Sequence, residues 1–206
     1  MKKILVCNLT PRSWMLYYSS QFCNELFLKK DINLRVATAS YYTWTLYNSG
    51  IKLIKIRTYP NAFSFILDSV NIFYQLYFIA RIVMFRPDIV HFIDNHPWYN
   101  IYVRIFKLFG MQIDVTQHDP FPHSWETHSL LSRVAIHTNK VLRNKSDRLI
   151  VLGDTLKKDV ISKYDMDENK IISIPHWAYT FFSQFSQWLN VQENTFLFFG
   201  RIVDYK

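Results

Sequence analysis

The residues best suited to chemistry lie in Thr116-Gln117-His118-Asp119-Pro120-Phe121-Pro122-His123. An apolar run precedes them directly. In an open α/β sheet, ligands bind just beyond the carboxyl ends of strands. There a His-Asp pair can position a donor, orient a hydroxyl or sit against a phosphate. Two prolines stiffen the loop, and binding loops on rigid scaffolds often carry function. By pattern alone, a plain turn with a satisfied histidine fits equally well. A second group, Asp94-Asn95-His96, follows the apolar run IVHFI. His91 lies inside that run and reads as core, whereas the three loop residues are the better candidates. A third is Gly153-Asp154-Thr155, where a strand gives way to a helix. Free N–H groups and the helix dipole there favour anions, although ordinary capping explains it too. A fourth is the ending FFGRIVDYK. Arg201 and Lys206 could aim two cations at one diphosphate, the first bidentately and the second as a point charge. A solvated basic tail explains that ending as well.

Several other chemistries are not supported. No GxGxxG follows the first apolar run, no GxxxxGK[ST] occurs, and no pair of helical histidines brackets a glutamate. An EF-hand beginning at Asp165 would need glycine where Lys170 stands and glutamate where His176 stands. We read Asp165–Asn169 as an acidic turn, and no metal site is expected. Cys7 lies in a buried run and reads as a small hydrophobe.

The elements that must position these residues alternate strand and helix. Apolar runs at 3–8 and 89–93 predict strands buried on both faces, and 32–39, 112–116, 148–152 and 171–174 also read as strands. Residues 51–58 alternate apolar and basic side chains, as an edge strand with one wet face does. Helical spacing predicts helices over 13–29, 63–85, 99–109, 124–142 and 154–164. Arg86-Pro87-Asp88 stops the second. Gly110 is expected to cap the third, and Asp154 to N-cap the last. This order predicts an α/β fold with a Rossmann-like parallel sheet flanked by helices. We expect that domain over 1–178, a linker over 179–194, and over 195–206 the first strand of a second domain.

Composition fits this reading. The chain has 206 residues, 24 Lys+Arg and 16 Asp+Glu, so 24 − 16 = +8. Half its residues are hydrophobic and 17% aromatic, which excludes intrinsic disorder. Two cysteines exclude a disulfide scaffold. The positive charge fits an anionic ligand or an anionic membrane surface. No Lys/Arg cluster with interleaved aromatics marks nucleic acid as a partner. The greasiest segment, 63–85, contains Asp68, Asn71, Gln75 and Arg81, which argues against a bilayer span. It reads as an amphipathic helix on the sheet, or as one whose aromatic face touches lipid. The N-terminal apolar run is too short for a secretory signal, so a cytoplasmic protein is expected, with peripheral contact at the inner membrane face compatible.

DVTQHDPFPH (114–123), SDRLIVLGDTLKKDVI (146–161), KIISIPHWAY (170–179) and above all FLFFGRIVDYK (196–206) carry a resemblance. The chain resembles the N-terminal half of a family 4 glycosyltransferase of the GT-B architecture. The resemblance implies two Rossmann-like domains facing across a cleft, one mainly for the acceptor and one for the nucleotide-sugar donor. It implies sugar transfer with retention of configuration to a glycan or lipid-linked acceptor, in polysaccharide biosynthesis, with no metal or other cofactor. Carried over by motif, His118 would approach the donor sugar and Asp119 would support its loop. Arg201 and Lys206 would hold the donor diphosphate. Asp94, Asn95, His96, His123 and Gly153 would be acceptor-side candidates. Two departures stand out. The loop after the first strand, NLTPRSWMLYY, lacks the glycines usual in the family. The sequence also stops at Lys206, before the region where the family has its paired donor-binding glutamates. The expectation is a truncated chain, inactive alone. Outside the enzyme class, a Rossmann-like module that binds a sugar, a partner protein or a membrane surface remains the alternative.

Overall fold

The computed structural model describes residues 1–10, 13–40, 46–58, 62–121, 130–176 and 180. In it the apolar runs pair as strands β1 (Lys2–Asn8), β2 (Ile32–Ala39), β3 (Lys52–Ile56), β4 (Ile89–Phe92), β5 (Gln112–Gln117), β6 (Arg148–Leu152) and β7 (Ile171–Ile174). They form one sheet in the order β3-β2-β1-β4-β5-β6-β7, every pair parallel. Each crossover carries a helix or a loop. The helices are α1 (Ser13–Phe27), α2 (Ala62–Val70), α3 (Ile72–Phe85), α4 (Tyr99–Leu108), α5 (Leu130–Lys145) and α6 (Asp154–Tyr164). The fold is a Rossmann-like parallel sheet flanked by helices, as the alternating pattern predicts.

Side chains alternate across β1, so its apolar run feeds two cores. Ile4 and Val6 pack with Met15, Leu16 and Tyr18 of α1. Leu5 and Cys7 face the other way, against Phe78 and Ile82 of α3 and Tyr102 and Phe106 of α4. Leu142 of α5 and Val160 of α6 continue that second layer. β3 is an edge strand, with Lys52 and Lys55 exposed and Ile54 and Ile56 buried, as its alternation predicts.

The amino ends of the strands are stitched by a repeated device. Asp88, just before β4, accepts from Lys3 N of β1 at 2.7 Å, and Asp147, just before β6, accepts from Ile113 N of β5 at 2.8 Å. In each case the aspartate's own N–H donates to the same residue's carbonyl, at 2.8 and 2.7 Å. Each clamp fixes the register of the strand pair.

Three boundaries differ from the sequence expectation. The single helix over 63–85 is two helices broken at Asn71, whose side chain accepts from Tyr74 N at 3.1 Å. Asparagine offers the backbone a local partner, and so starts a new helix inside an unbroken apolar pattern. Asp154 does not N-cap α6. Gly153 takes the cap position at φ +118°, a conformation side chains resist, and Asp154 becomes the first helical residue. There its charge still meets the helix dipole. α5 runs on to Lys145, and the expected start of that helix at 124–129 lies outside the described residues. Gly110 does end α4: at φ +74° its N–H reaches Lys107 O at 3.0 Å, and Met111 N reaches Phe106 O at 3.2 Å, the paired bonds of a Schellman motif. Apart from residue 180, the expected linker over 179–194 and the expected strand of a second domain over 195–206 lie outside the described residues.

Candidate functional site

Strand order reverses between β1 and β4, and ligands of such sheets sit over the carboxyl ends at that switch point. The loops after β1, β4, β5 and β6 therefore frame the candidate site. They carry Asp94, Asn95 and His96, then His118 and Asp119, then Gly153. His123, Arg201 and Lys206 lie outside the described residues.

The loop after β1 is tied down from its neighbour. Asn8, at the end of β1, donates to Ser19 Oγ at 2.6 Å and so to α1. Beyond it, Leu9 N and Thr10 N donate to one carboxylate oxygen of Asp94 at 2.9 and 2.5 Å. Tyr99 donates its hydroxyl to the other oxygen at 2.6 Å. Thr10 Oγ1 closes the seam on the Asn95 carbonyl at 3.0 Å. Burial raises the Asp94 pKa, and the hydrogen bonds from Thr10, Tyr99 and Leu9 oppose that rise. Asn95 Nδ2 donates to Ala135 O at 2.9 Å. His96 is wholly buried, receives Trp98 N at Nδ1 over 3.3 Å, and packs against Trp98 and Tyr99. Burial holds its pKa down to about 3, so the ring is neutral. In this loop, then, Asp94 and Asn95 join backbone segments and His96 fills the core.

The loop after β5 is different. His118 directly follows β5 and is half-buried, while Asp119 is exposed. Tyr18 of α1 stands edge-on to the His118 ring, with centroids 4.3 Å apart, and also faces His176 at 6.4 Å. One helix residue thus links the ends of β5 and β7. His91, behind them in β4, pairs with Thr116 Oγ1 at 2.8 Å and meets Phe22 edge-on at 5.2 Å. It is core, as its place in the strand predicts. Burial lowers the pKa of both His91 and His118 to about 4. For His118 the fields of Asp119 and of a hydrogen bond at Ile93 push back upward, and His176 pushes downward. At neutral pH His118 is an uncharged imidazole. Such a ring can accept or donate one hydrogen bond to a sugar hydroxyl, but it supplies no positive charge for a diphosphate.

The same loop is braced from α5 and α6. Tyr164 donates to Pro120 O at 2.8 Å and stacks on Phe121 at 5.7 Å. Arg143 lies 3.4 Å over the Tyr164 ring, and Gln117 Nε2 donates to Asn139 O at 2.9 Å. His118 is therefore held by rings on one side and by a packed loop on the other. Gly153 ends β6 in the next loop along. Among the described residues, no three His, Cys, Asp or Glu side chains converge as a metal site. A depression of about 480 Å³ lies at the opposite end of the sheet between Lys107, Gly110, Asp147 and Arg148. We discount it as the site because it sits at the amino ends of the strands.

The sequence reading missed Tyr18, Tyr99 and Tyr164, which position the site loops. Nothing local marks them, because each reaches a loop that the sheet order brings to it.

Parallel strands wrapped by helices on both faces, with the polar loops gathered at the carboxyl ends, define a Rossmann-like α/β domain. Residues 29–178 match the family model described as Glycosyltransferase Family 4, and the chain belongs to that family. No curated protein sequence matches the chain. Among solved structures it is similar to a UDP-N-acetylglucosamine 2-epimerase from Rickettsia bellii, with TM-score 0.62 and 13% identity over 91% of this chain and 48% of that one. The UDP-GlcNAc 2-epimerase from Neisseria meningitidis bound to UDP-GlcNAc gives TM-score 0.58 and 11% identity over 84% and 45%. A glycosyltransferase from Rickettsia africae gives 0.52 and 15% over 85% and 43%. The chain thus spans about half the length of these structures, and at such identities the likeness is one of fold.

Proposed function

We propose that this chain is the acceptor-side domain of a retaining glycosyltransferase that moves a sugar from a nucleotide-sugar donor to a glycan or lipid-linked acceptor, in polysaccharide biosynthesis in the cytoplasm. The observation that carries the reading is the His118-Asp119 loop, clamped by Tyr18 and Tyr164 beside the switch point of a sheet whose residues 29–178 match the transferase family. The Neisseria structure, bound to UDP-GlcNAc, supports a nucleotide sugar as the donor class. In this reading neutral His118 hydrogen-bonds the donor sugar at the reacting centre, and Asp119 acts on that ring through its charge. Arg201 and Lys206 meet the diphosphate and stabilise charge on the leaving group. Asn95, His123 and Gly153 line the acceptor side, Asp94 acts through the loop it holds, and His96, sealed in the core, supports that loop from behind. No metal is required.

The test uses the native polypeptide or complex, isolated from its own cells and given labelled nucleotide sugars with the cells' lipid and glycan fraction. Label is expected to move to an acceptor with the donor's anomeric configuration kept. His118→Ala is expected to lower the rate about 100-fold or more, the scale of losing a group positioned at the reacting centre, with the unfolding midpoint unchanged. Parental rates in His118→Ala overturn the assignment. Release of an epimerised nucleotide sugar with no labelled acceptor overturns the transfer reading.

A further inference from the structure

The helices between β3 and β4 are inverted relative to an ordinary surface helix. Every described exposed side chain of α2 and α3 is apolar: Ile66, Leu67 and Val70, then Ile72, Phe73, Leu76, Tyr77, Ala80 and Met84. Phe73 and Met84 are each 82% exposed and Val70 is 72% exposed. Meanwhile the polar side chains turn inward. Asp68 is buried, paired with Arg57 at 3.1 Å. Gln75 donates to Asp68 O at 3.0 Å and accepts from the Tyr102 hydroxyl. The opposite stripe of α3, Phe78, Ile82 and Phe85, is already used by the core. A contiguous apolar face of this extent marks an interaction site.

Its charge selects the occupant. Within residues 62–87 the only charged residues are Asp68, Arg81 and Arg86, and Asp68 is neutralised by Arg57. The free charges at the rim are therefore positive: Arg81, which lies 5.8 Å from the Tyr77 ring, and exposed Arg86 at the end of α3. The whole chain carries +8. A second copy would bring the same cations against these. No helix among the described residues is long and apolar enough to cross a membrane. We propose that α2 and α3 lie in the plane of an anionic lipid surface, with the Phe73–Met84 face among the acyl chains and Arg81 and Arg86 at the headgroups. α2 is tied to the loop after β4, where Trp98 Nε1 donates to Ser69 Oγ at 2.8 Å and Phe65 stacks on Trp98 at 6.2 Å. The docked face therefore adjoins the ligand end of the sheet. The proposal stands on this face and not on the transfer reading.

The test is co-sedimentation of the 206-residue chain with vesicles of phosphatidylcholine alone or with about 30% phosphatidylglycerol. Binding is expected with the anionic vesicles and is expected to weaken as salt rises. Phe73→Glu with Met84→Glu should lower partitioning at least tenfold with far-ultraviolet circular dichroism unchanged. Arg81→Gln should lower it about fivefold, the scale of one interfacial cation. Phe73→Ser, a milder change, should give an intermediate loss even if the double variant folds poorly. Equal binding by Phe73→Ser and parent overturns the proposal, and so does absence of binding to anionic vesicles. A concentration-dependent dimer in ultracentrifugation, abolished by Phe73→Ser, overturns it in favour of a second copy.

Discussion

The loops that leave β4 and β5 start from neighbouring parallel strands, and each carries an aspartate and a histidine. Their fates are opposite. After β4, Asp94 is buried under three protein donors and His96 is sealed among aromatic rings. After β5, Asp119 is exposed and His118 keeps one side near solvent. The same residue types thus serve structure in one loop, while in the other the aspartate stays exposed and the histidine only half-buried. What differs is the surroundings. A carboxylate is buried only where hydrogen bonds repay its lost hydration. The β1 loop offers Asp94 two backbone N–H groups, whereas nothing described offers Asp119 a comparable cage. The family's usual glycines after β1 are absent here, and the Asp94 seam occupies that corner of the switch point.

Removing Asp94 breaks the comparison most severely. Asp94→Ala takes the acceptor from Thr10 N and the Tyr99 hydroxyl and leaves Leu9 N only the Tyr99 oxygen at 3.2 Å. Orphaned buried donors cost about 1–3 kcal/mol each, and partial access of water lowers the sum, so about 4 kcal/mol of stability should go. Urea unfolding measures it. A loss under about 1 kcal/mol would show that the seam is decoration.

Acid should expose the same contrast through the histidines. In the unfolded chain a histidine titrates near 6.5, whereas burial lowers His91 to about 4 and His96 to about 3 in the fold. Between those values the unfolded state binds more protons, so stability rises with pH there. It is fully present above about pH 6.5 and is lost as pH falls toward 4. Each ring contributes about 1.4 kcal/mol per pH unit inside that window, or about 2 kcal/mol between pH 7 and 5. His118 acts in the same sense but more weakly, being nearer solvent. Asp94 works against the trend, because its raised pKa makes the folded state the better proton binder at lower pH. Unfolding free energies at pH 7, 6 and 5 give the slope, and His96→Gln should flatten it. A flat parental profile between pH 7 and 5 would contradict the buried, neutral rings.

How much of this was legible in the sequence depends on the range of the determining contact. Short apolar runs such as IVHFI identify buried strands because both faces of a parallel sheet are covered. The Lys52 and Lys55 alternation marks β3 as an edge for the same reason in reverse. The 118–119 loop was legible because it directly follows such a run. The Asn71 break was not, since one asparagine in a continuous apolar pattern changes no periodicity. Nor was the Asp94 cage: its two backbone donors lie 84 and 85 residues earlier, and only the β1-β4 adjacency brings them near. The inward turn of Asp68 and Gln75 was hidden likewise, because Arg57 and Tyr102 come from other elements. Local pattern reported which residues are apolar, but not which side of α3 the core would take.

The smallest expected effect sharpens the comparison from the β5 side. Asp119→Asn changes an exposed residue, and surface substitutions away from caps and buried networks stay within about 0.5 kcal/mol. If stability instead fell as far as in Asp94→Ala, the two loops would be alike and the contrast would be lost. The substitution should still be visible at its neighbour. The Asp119 field raises the His118 pKa against the larger lowering by burial, so its removal should move the His118 titration further down. The shift should be modest, because solvent and salt screen a charge at the surface. Proton NMR of the imidazole Hε1 across pH reads it directly, with His96 as an internal control whose sealed ring should not respond. An upward shift at His118 would mean that Asp119 does not act on the ring through its charge. A downward shift with unchanged stability would establish that Asp119 sets the charge of the candidate site without holding up the fold, the reverse of what Asp94 does one strand away.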